Sequence, residues 1–364
     1  MKLSELIRDL EQWAPPALQE SYDNSGLLVG NPEMEVKGVI CCLDSTPEVI
    51  QEALEQGANV VVAHHPIVFS GLKRLVGRTY VQRAVELAIK NDIAIYAIHT
   101  NLDHVLTGVN GKIAQLLELQ NPRILRPKED TLYQIVVFTP KEVTQIVRDA
   151  MFQAGAGHVG QYDQCSFELT GRGAFRPLEG ANPNLGTHGE RMVVEEERIE
   201  VIVHGWNLNR VLQAMKTAHP YEEVAHFVVK HVGPNQEFGS GMVGVLKSTL
   251  TPQALMDMLK DVFHVPMVRH TRFISERIQR IAICGGAGFF LLEDAIRAGA
   301  DILITSDVKY HEFFDADNRI ILADIGHFES EQHTIQLLVN HIREKFTTFA
   351  TQSTGVITNP VHYY

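Results

Sequence analysis

Between residues 36 and 120, apolar runs of strand length alternate with segments of helical period. "VKGVICCLD" is a short apolar run and reads as a strand. "TPEVIQEALEQG" follows with helical spacing, Thr46 as cap, Pro47 at the first helical position and a glycine stop. "ANVVVAHHP" is a second strand, and its unbroken apolar run predicts burial on both faces. A helix around "YVQRAVELAIKND" and the strand "IAIYAIHT" complete the βαβ rhythm of a parallel sheet. The rhythm returns near the C-terminus. "RIQRIAICGG", "ADILITSD" and "RIILADIGH" read as strands, and "FFLLEDAIRAG" and "SEQHTIQLLVNHIREKF" as helices. "MKLSELIRDLEQWAPP" predicts an amphipathic N-terminal helix stopped by Pro15 and Pro16.

The two α/β stretches can be laid over one another. "EALEQGANVVVAHHP" covers "DAIRAGADILITSDV", which sets His64 over Ser306 and His65 over Asp307. In a slightly shifted register "IAIYAIHTNLD" covers "RIILADIGHFESE", setting His99 over His327 and Asp103 over Glu331. The chain therefore reads as a duplicated α/β unit. Between the halves the pattern changes. "TLYQIVVFTP", "KEVTQIVRDAMFQAG", "ERIEVIVHGW", "NLNRVLQAMKTAHP" and "EEVAHFVVKHV" give β-α-β-α-β, which fits a ferredoxin-like α+β unit. The stretch "GRGAFRPLEGANPNLGTHGE" has no period and is rich in Gly, Pro and Asn, so it is expected to be an exposed, mobile loop. The expected organisation is a discontinuous α/β domain, residues 1–125 and 238–364, with an inserted ferredoxin-like domain at 126–237.

Composition narrows the function classes. The formal charge of -12 over 364 residues argues against broad contact with nucleic acid or anionic lipid. Cys41, Cys42, Cys165 and Cys284 form no CxxC pair and read as buried free thiols of a reducing compartment. With no signal-peptide core at the N-terminus and no apolar run of membrane length, a cytoplasmic location is expected.

The chemistry falls at strand ends, where open parallel sheets carry their sites. His64 with His65, His99 with Asp103, and His327 with Glu331 all follow apolar strands and can converge where two halves meet. Imidazole with carboxylate suits Zn, Mn, Fe, Co or Ni rather than Ca or a thiolate site. The donors outnumber the needs of one tetrahedral zinc and suffice for two metals sharing a bridge, a dinuclear cleft between the halves. Asp307 is a candidate to hold a ligand in place. "CGGAGFF" is a strand–loop–helix junction that reads either as a phosphate cradle or as a tight turn. Asp23 and Asn24 of "YDNSGLLVG" belong to an Asx-type turn or to the site mouth. His219 of "HPYEE" is expected to finish a helix rather than bind metal. His104 reads as a proton shuttle or a solvent-facing side chain.

"YDNSGLLVG", "AHHP", "HTNLD", "CGGAGFFLLEDA", "GADILITSD" and "DIGHFESE" resemble the motifs of the GTP cyclohydrolase 1 type 2 homologs, also called the NGG-interacting-factor-three-like family. "GQYDQCSFELTGRGAFRPLEGANPNLG" and "AHPYEEVAH" resemble the longer bacterial members, whose middle domain is similar to CutA and PII. The resemblance implies a toroidal homohexamer with a two-metal site in each subunit. It implies His64, His65, Asp103, His327 and Glu331 as ligands, Glu331 as bridge and His99 beside them. One departure is Ser306 where the family has glycine before the aspartate, which bears on the turn before Asp307. The implied reaction is hydrolytic opening of the GTP purine ring at C8, with metal-activated water as nucleophile and His99 or His104 as general acid. A two-metal phosphoesterase, and a metal carrier, sensor or regulatory interaction protein without chemistry, are the alternatives. A clamp on nucleic acid is disfavoured by the acidic charge.

Overall fold

The computed structural model describes residues 1–364, the side chain of Pro234 excepted, and divides into two compact units, residues 1–127 with 236–364, and residues 128–235. In chain order the first stretch carries α1 (Leu3–Trp13), β1 (Gly26–Val29), β2 (Gly38–Cys42), α2 (Pro47–Glu55), β3 (Val60–Ala63), α3 (Tyr80–Lys90), β4 (Ala94–Ala97), α4 (Thr100–Asp103), α5 (Val109–Leu116) and β5 (Gln120–Glu129). The second unit holds β6 (Leu132–Pro140), α6 (Thr144–Gln153), β7 (Ser166–Phe175), β8 (Met192–His204), α7 (Leu208–Ala218) and β9 (His226–Lys230). The chain then forms β10 (Pro234–Leu250), α8 (Pro252–Phe263), β11 (Arg269–His270), β12 (Ile278–Ile283), α9 (Leu292–Arg297), β13 (Ile302–Thr305), β14 (Ile321–Asp324), α10 (His327–Glu331), α11 (His333–Lys345) and β15 (Ala350–Ser353).

The first unit contains two sheets of mixed α/β type, ordered β1-β4-β3-β2-β15 and β11-β14-β13-β12-β10-β5. They share a plan. In each, three consecutive strands run parallel, β2-β3-β4 and β12-β13-β14, and an antiparallel strand, β1 or β11, pairs with the last of the three. The strands β2, β3, β4, β13 and β14 are buried along their whole length, as continuous apolar runs require. Val61, Ile40 and Ile95 pack with Val49, Ile50 and Ala53 of α2 and with Ala84, Val85 and Ala88 of α3. Each such Val or Ile contributes about 1.5–3 kcal/mol by burial. Register sets the strand tips level: Ala63 pairs with Ala97, and Thr305 with Asp324. The residues that follow each tip therefore emerge along one edge of each sheet.

Helix ends explain some boundaries and correct one. Thr79 accepts a hydrogen bond from Gln82 N (3.2 Å) and caps α3. Thr46 occupies the capping position of α2, but its hydroxyl makes no capping bond; Pro47 at the first helical position starts the helix instead. No helix is long and apolar enough to cross a membrane, among the described residues. The four cysteines are free thiols, and Cys41, Cys42 and Cys284 are buried.

The second unit is βαββαβ, with sheet order β7-β8-β6-β9 and antiparallel pairing throughout. β7 lies partly where a loop is expected. Its sequence "SFELTGRGAF" carries two glycines and is mostly exposed, so no alternation marks it, and only pairing with β8 makes it a strand. Ile135, Val137, Ile199 and Val201 pack on α6 and α7 through Val147, Met151, Val211 and Met215.

Candidate metal centre

His64 and His65 follow β3. Their amides continue the sheet pairing, His64 N to Cys42 O (3.1 Å) and His65 N to Leu43 O (2.9 Å), so the backbone fixes where both rings start. The His64 ring is fully buried and its Nδ1 bonds the Ile98 carbonyl (2.9 Å). That bond requires a proton on Nδ1 and leaves the Nε2 lone pair free. His65 Nδ1 lies 2.9 Å from Asp44 Oδ1, and Asp44 also accepts from the Thr358 hydroxyl (2.7 Å). His99 follows β4; its Nδ1 lies 2.7 Å from Asp23 Oδ1, and Asp23 further accepts from Thr100 N and Ser25 Oγ, both at 3.0 Å. Asp103 ends α4, the helical turn that His99 begins.

The second sheet brings a matching set. His327 opens α10 and Glu331 closes it, one helical turn apart. His327 Nδ1 lies 2.6 Å from Asp307 Oδ2, just beyond β13, where Asp307 adopts φ 57°. Ser306, buried before it, donates its amide to Gly286 O (3.0 Å). Each of these four imidazoles is thus bonded through Nδ1 to an oxygen, the arrangement that orients metal-binding histidines.

Glu331 joins the two sheets. Its Oε2 lies 2.9 Å from His65 Nε2 and 3.1 Å from His327 Nε2. Its Oε1 lies 3.8 Å from His64 Nε2, which is 3.7 Å from Asp103 Oδ1. The second pair of distances is too long for hydrogen bonds, and His64 Nε2 and Asp103 Oδ1 are buried without a hydrogen-bond partner. Orphaned buried groups of this kind cost free energy unless something else binds them. Their spacing fits donors about 2 Å from a common cation. Three triads, His64–Asp103–Glu331, His65–His327–Glu331 and His64–His65–His99, keep their donor atoms within 4.8 Å of one another and can hold metal.

The electrostatics describe a site short of positive charge. Burial and the neighbouring Glu331 carboxylate push Asp103 up to about 7. Burial would raise Glu331 as well, but hydrogen bonds from His327 and His65 and the electrostatic pull of the nearby His64 ring hold it well below the usual carboxylate range. Burial opposes charge on His65, yet Asp44 and Glu331 raise it to about 9; Asp307 and Glu331 likewise raise His327 to about 11. Asp23 is depressed: bonds from His99 and Thr100 outweigh its burial.

Glycine makes room for the carboxylate. A Cβ on Gly286, at φ 62°, would lie 2.4 Å from Glu331 Oε1. The surrounding loop is a tight turn in which three amides are already taken: Gly285 N by Asn110 Oδ1, Gly286 N by Ser330 Oγ and Gly288 N by Thr305 Oγ1, at 2.8–3.0 Å, which leaves little of a phosphate cradle. Beside the donors opens a cavity of about 650 Å³ walled by Phe69, Phe328 and Val361, with Arg269 and Asn359 as polar groups.

All five expected ligands and His99 come together. His104 does not. It is buried, its Nδ1 bonds Leu18 O (2.8 Å), and its Nε2 faces Ser240 Oγ (3.0 Å) and Glu20 (3.1 Å), so it is neither solvent-facing nor part of the donor cluster. His219 finishes α7 and spends both ring nitrogens on Phe138 O and Tyr221 N. Asp44 and Thr358 carried no signal in the sequence, and Asp23 was legible as a turn residue or one at the site mouth, but not as the partner of His99; "HxxxD" and "HxxxE" point to themselves, while supporting carboxylates stand far from them in sequence.

The sequence profile of the Duf34/NIF3 (NGG1p interacting factor 3) family matches residues 1–360. A protein of Halalkalibacterium halodurans named GTP cyclohydrolase 1 type 2 homolog is 37% identical over 98% of this chain and 96% of its own. A protein of the same name from Staphylococcus aureus is 32% identical over the full length of both chains. The crystal structure of a Bacillus cereus protein related to NIF3 superposes with a TM-score of 0.86 at 34% identity, covering 100% of this chain and 99% of that one. With the fold, the strand-tip donors and near full-length likeness in agreement, this chain belongs to the Duf34/NIF3 family.

Proposed function

We propose that this protein holds two divalent metal ions in one centre and uses them in hydrolysis of a nucleotide, with ring opening of GTP as the reaction to test first. The observation that carries the reading is Glu331: one carboxylate oxygen faces His64, which in turn faces Asp103, and the other faces His65 and His327. A shared carboxylate between two donor sets is the usual bridge of a dinuclear site. The all-imidazole and carboxylate donor set favours zinc, with Mn, Fe, Co and Ni also suited.

Divalent ions bound there would supply Lewis-acid activation of water and substrate. The chain's own residues would do the rest. His99, steadied by Asp23 at Nδ1 and set edge-on to Phe69, would carry a proton at Nε2 for the leaving nitrogen. Phe69, Phe328 and Val361 would seat an apolar ring face and exclude water. Arg269 would present positive charge to a phosphate, although Asp324 and the Val308 carbonyl (3.1 Å) already hold it in place.

The shared strand plan of the two sheets supports duplication of one α/β unit. The βαββαβ order of the second unit supports the reading of a CutA/PII-like insertion. The family resemblance adds a toroidal homohexamer, which light scattering of the purified protein would test.

The deciding experiment measures turnover of GTP, cyclic nucleotides and phosphodiesters by protein loaded with Zn, Mn, Fe or Co. The reading expects formate release from GTP that vanishes in folded His64→Ala. Phosphodiester cleavage alone would make it a phosphoesterase. Two tightly bound equivalents of metal with no turnover would make it a metal carrier.

A further inference from the structure

The second unit contains its own cavity, of about 570 Å³, on the helix-free face of its sheet. Two sequence features that the metal centre leaves unused build it. The segment after β7, "RPLEGANPNLGTHGE", folds over the sheet and is tied down by Gly189 N to Pro177 O (2.8 Å), Asn182 N to Glu222 Oε1 (2.8 Å) and His188 Nε2 to Ala181 O (2.9 Å). The "HPYEE" turn supplies Tyr221, Glu222 and Glu223 to the wall. His219 positions that turn. Its Nε2 donates to Phe138 O (2.9 Å), its Nδ1 accepts from Tyr221 N (3.1 Å), and its ring meets Tyr221 edge-on at 5.0 Å.

The lining combines aromatic rings with carboxylates. Phe138, Phe175 and Tyr221 bring π faces, and the Phe175 and Tyr221 rings lie 6.1 Å apart. Glu196, Glu222 and Glu223 oppose one guanidinium, that of Arg176. Glu196 lies flat across β7 because position 173 is glycine; a Cβ there would come within 1.9 Å of its carboxylate. Burial holds the Glu196 carboxyl above its ordinary range, as expected for a carboxylate without a cation beside it. The Tyr221 hydroxyl is buried with no hydrogen-bond partner. A buried hydroxyl left in that state calls for a partner that the protein does not supply.

We propose that this cavity binds a small organic cation, an ammonium or amidinium group carried on an apolar body. The cation would pair with Glu196, offer an N–H to the Tyr221 oxygen and lie against the aromatic faces, while the body fills the apolar pocket. Such a ligand satisfies both the lone carboxylate and the unpartnered hydroxyl. An anion of the same size would meet three carboxylates.

The test is calorimetric titration of the full-length protein with three probes of one shape: benzylammonium, benzyl alcohol and benzoate. The expected result is benzylammonium at least about tenfold tighter than benzyl alcohol, consistent with a partly desolvated cation–π and charge contact, with benzoate weakest. Glu196→Gln should erase the preference for the cation, and Tyr221→Phe should weaken it several-fold. Glu331→Gln, in the metal centre, should leave it unchanged. Equal affinity for all three probes, no binding by any, a preference for benzoate, or a preference untouched by Glu196→Gln would each overturn the proposal. Glu223→Gln gives a second reading of the charge should Glu196→Gln fail to fold.

Discussion

The tips of the two parallel sheets in the first unit hold comparable positions and different chemistry. Beyond β4 and beyond β14 the chain does the same thing: a histidine, one short helical turn, then a carboxylate, His99 to Asp103 and His327 to Glu331. Beyond β3 and β13 it diverges. The first sheet places two imidazoles there, His64 and His65, where the second places Ser306 and Asp307. The first pair faces donors directly; Asp307 instead holds the ring of His327. The sheets differ in depth too. His64 is sealed, while the side chains of His327 and Asp307 are 38% and 52% exposed. One scaffold edge can thus supply a ligand or its support, according to the length and reach of the side chain at the same register.

The largest effect that would break this comparison comes from the residue the halves share. Glu331→Gln should lose both metal equivalents, with affinity down by more than the 10–100-fold typical of supporting groups; elemental analysis after dialysis reads it. Retention of one full equivalent would mean that Glu331 serves a single ion. Next come one ligand from each side. His64→Ala and His327→Ala should each remove one equivalent and leave the other, and loss of both from either variant would contradict the division between Oε1 and Oε2. Supporting groups follow. Asp44→Asn and Asp307→Asn should each weaken metal binding by about 10–100-fold with the fold intact. Asp23→Asn should instead reduce turnover more than metal content, since Asp23 acts through His99.

Proton competition sharpens the same contrast. His65 and His327 hold their protons above the ordinary 6.5, at about 9 and about 11, because carboxylates flank them. A metal must displace those protons, so its affinity should climb with pH between 7 and 9, about tenfold per unit for each proton released. In metal-free protein the sign reverses. A raised folded value means stability that is fully present below about pH 6.5 and fades as pH passes about 9 for His65. Denaturant midpoints across that range, with and without metal, should diverge in this way. The smallest effect separates two helix starts of the first sheet: Thr79→Ala should cost about 1 kcal/mol and Thr46→Ala close to nothing, since only the Thr79 hydroxyl caps.

The sequence by itself determined the α/β rhythm, the change of pattern in the middle and the chemistry of the strand ends. Those are local properties: apolar runs, helical period, and residue types adjacent to them. Motif likeness named the residues expected to be ligands. The tertiary structure alone decided that His65 meets Glu331 across 266 positions and His327 across 262, that Thr358 supports Asp44 across 314, and that β7 is a strand. No periodicity encodes such contacts, because they depend on how two separately formed sheets bring their edges together, and only there do buried donors find what satisfies them.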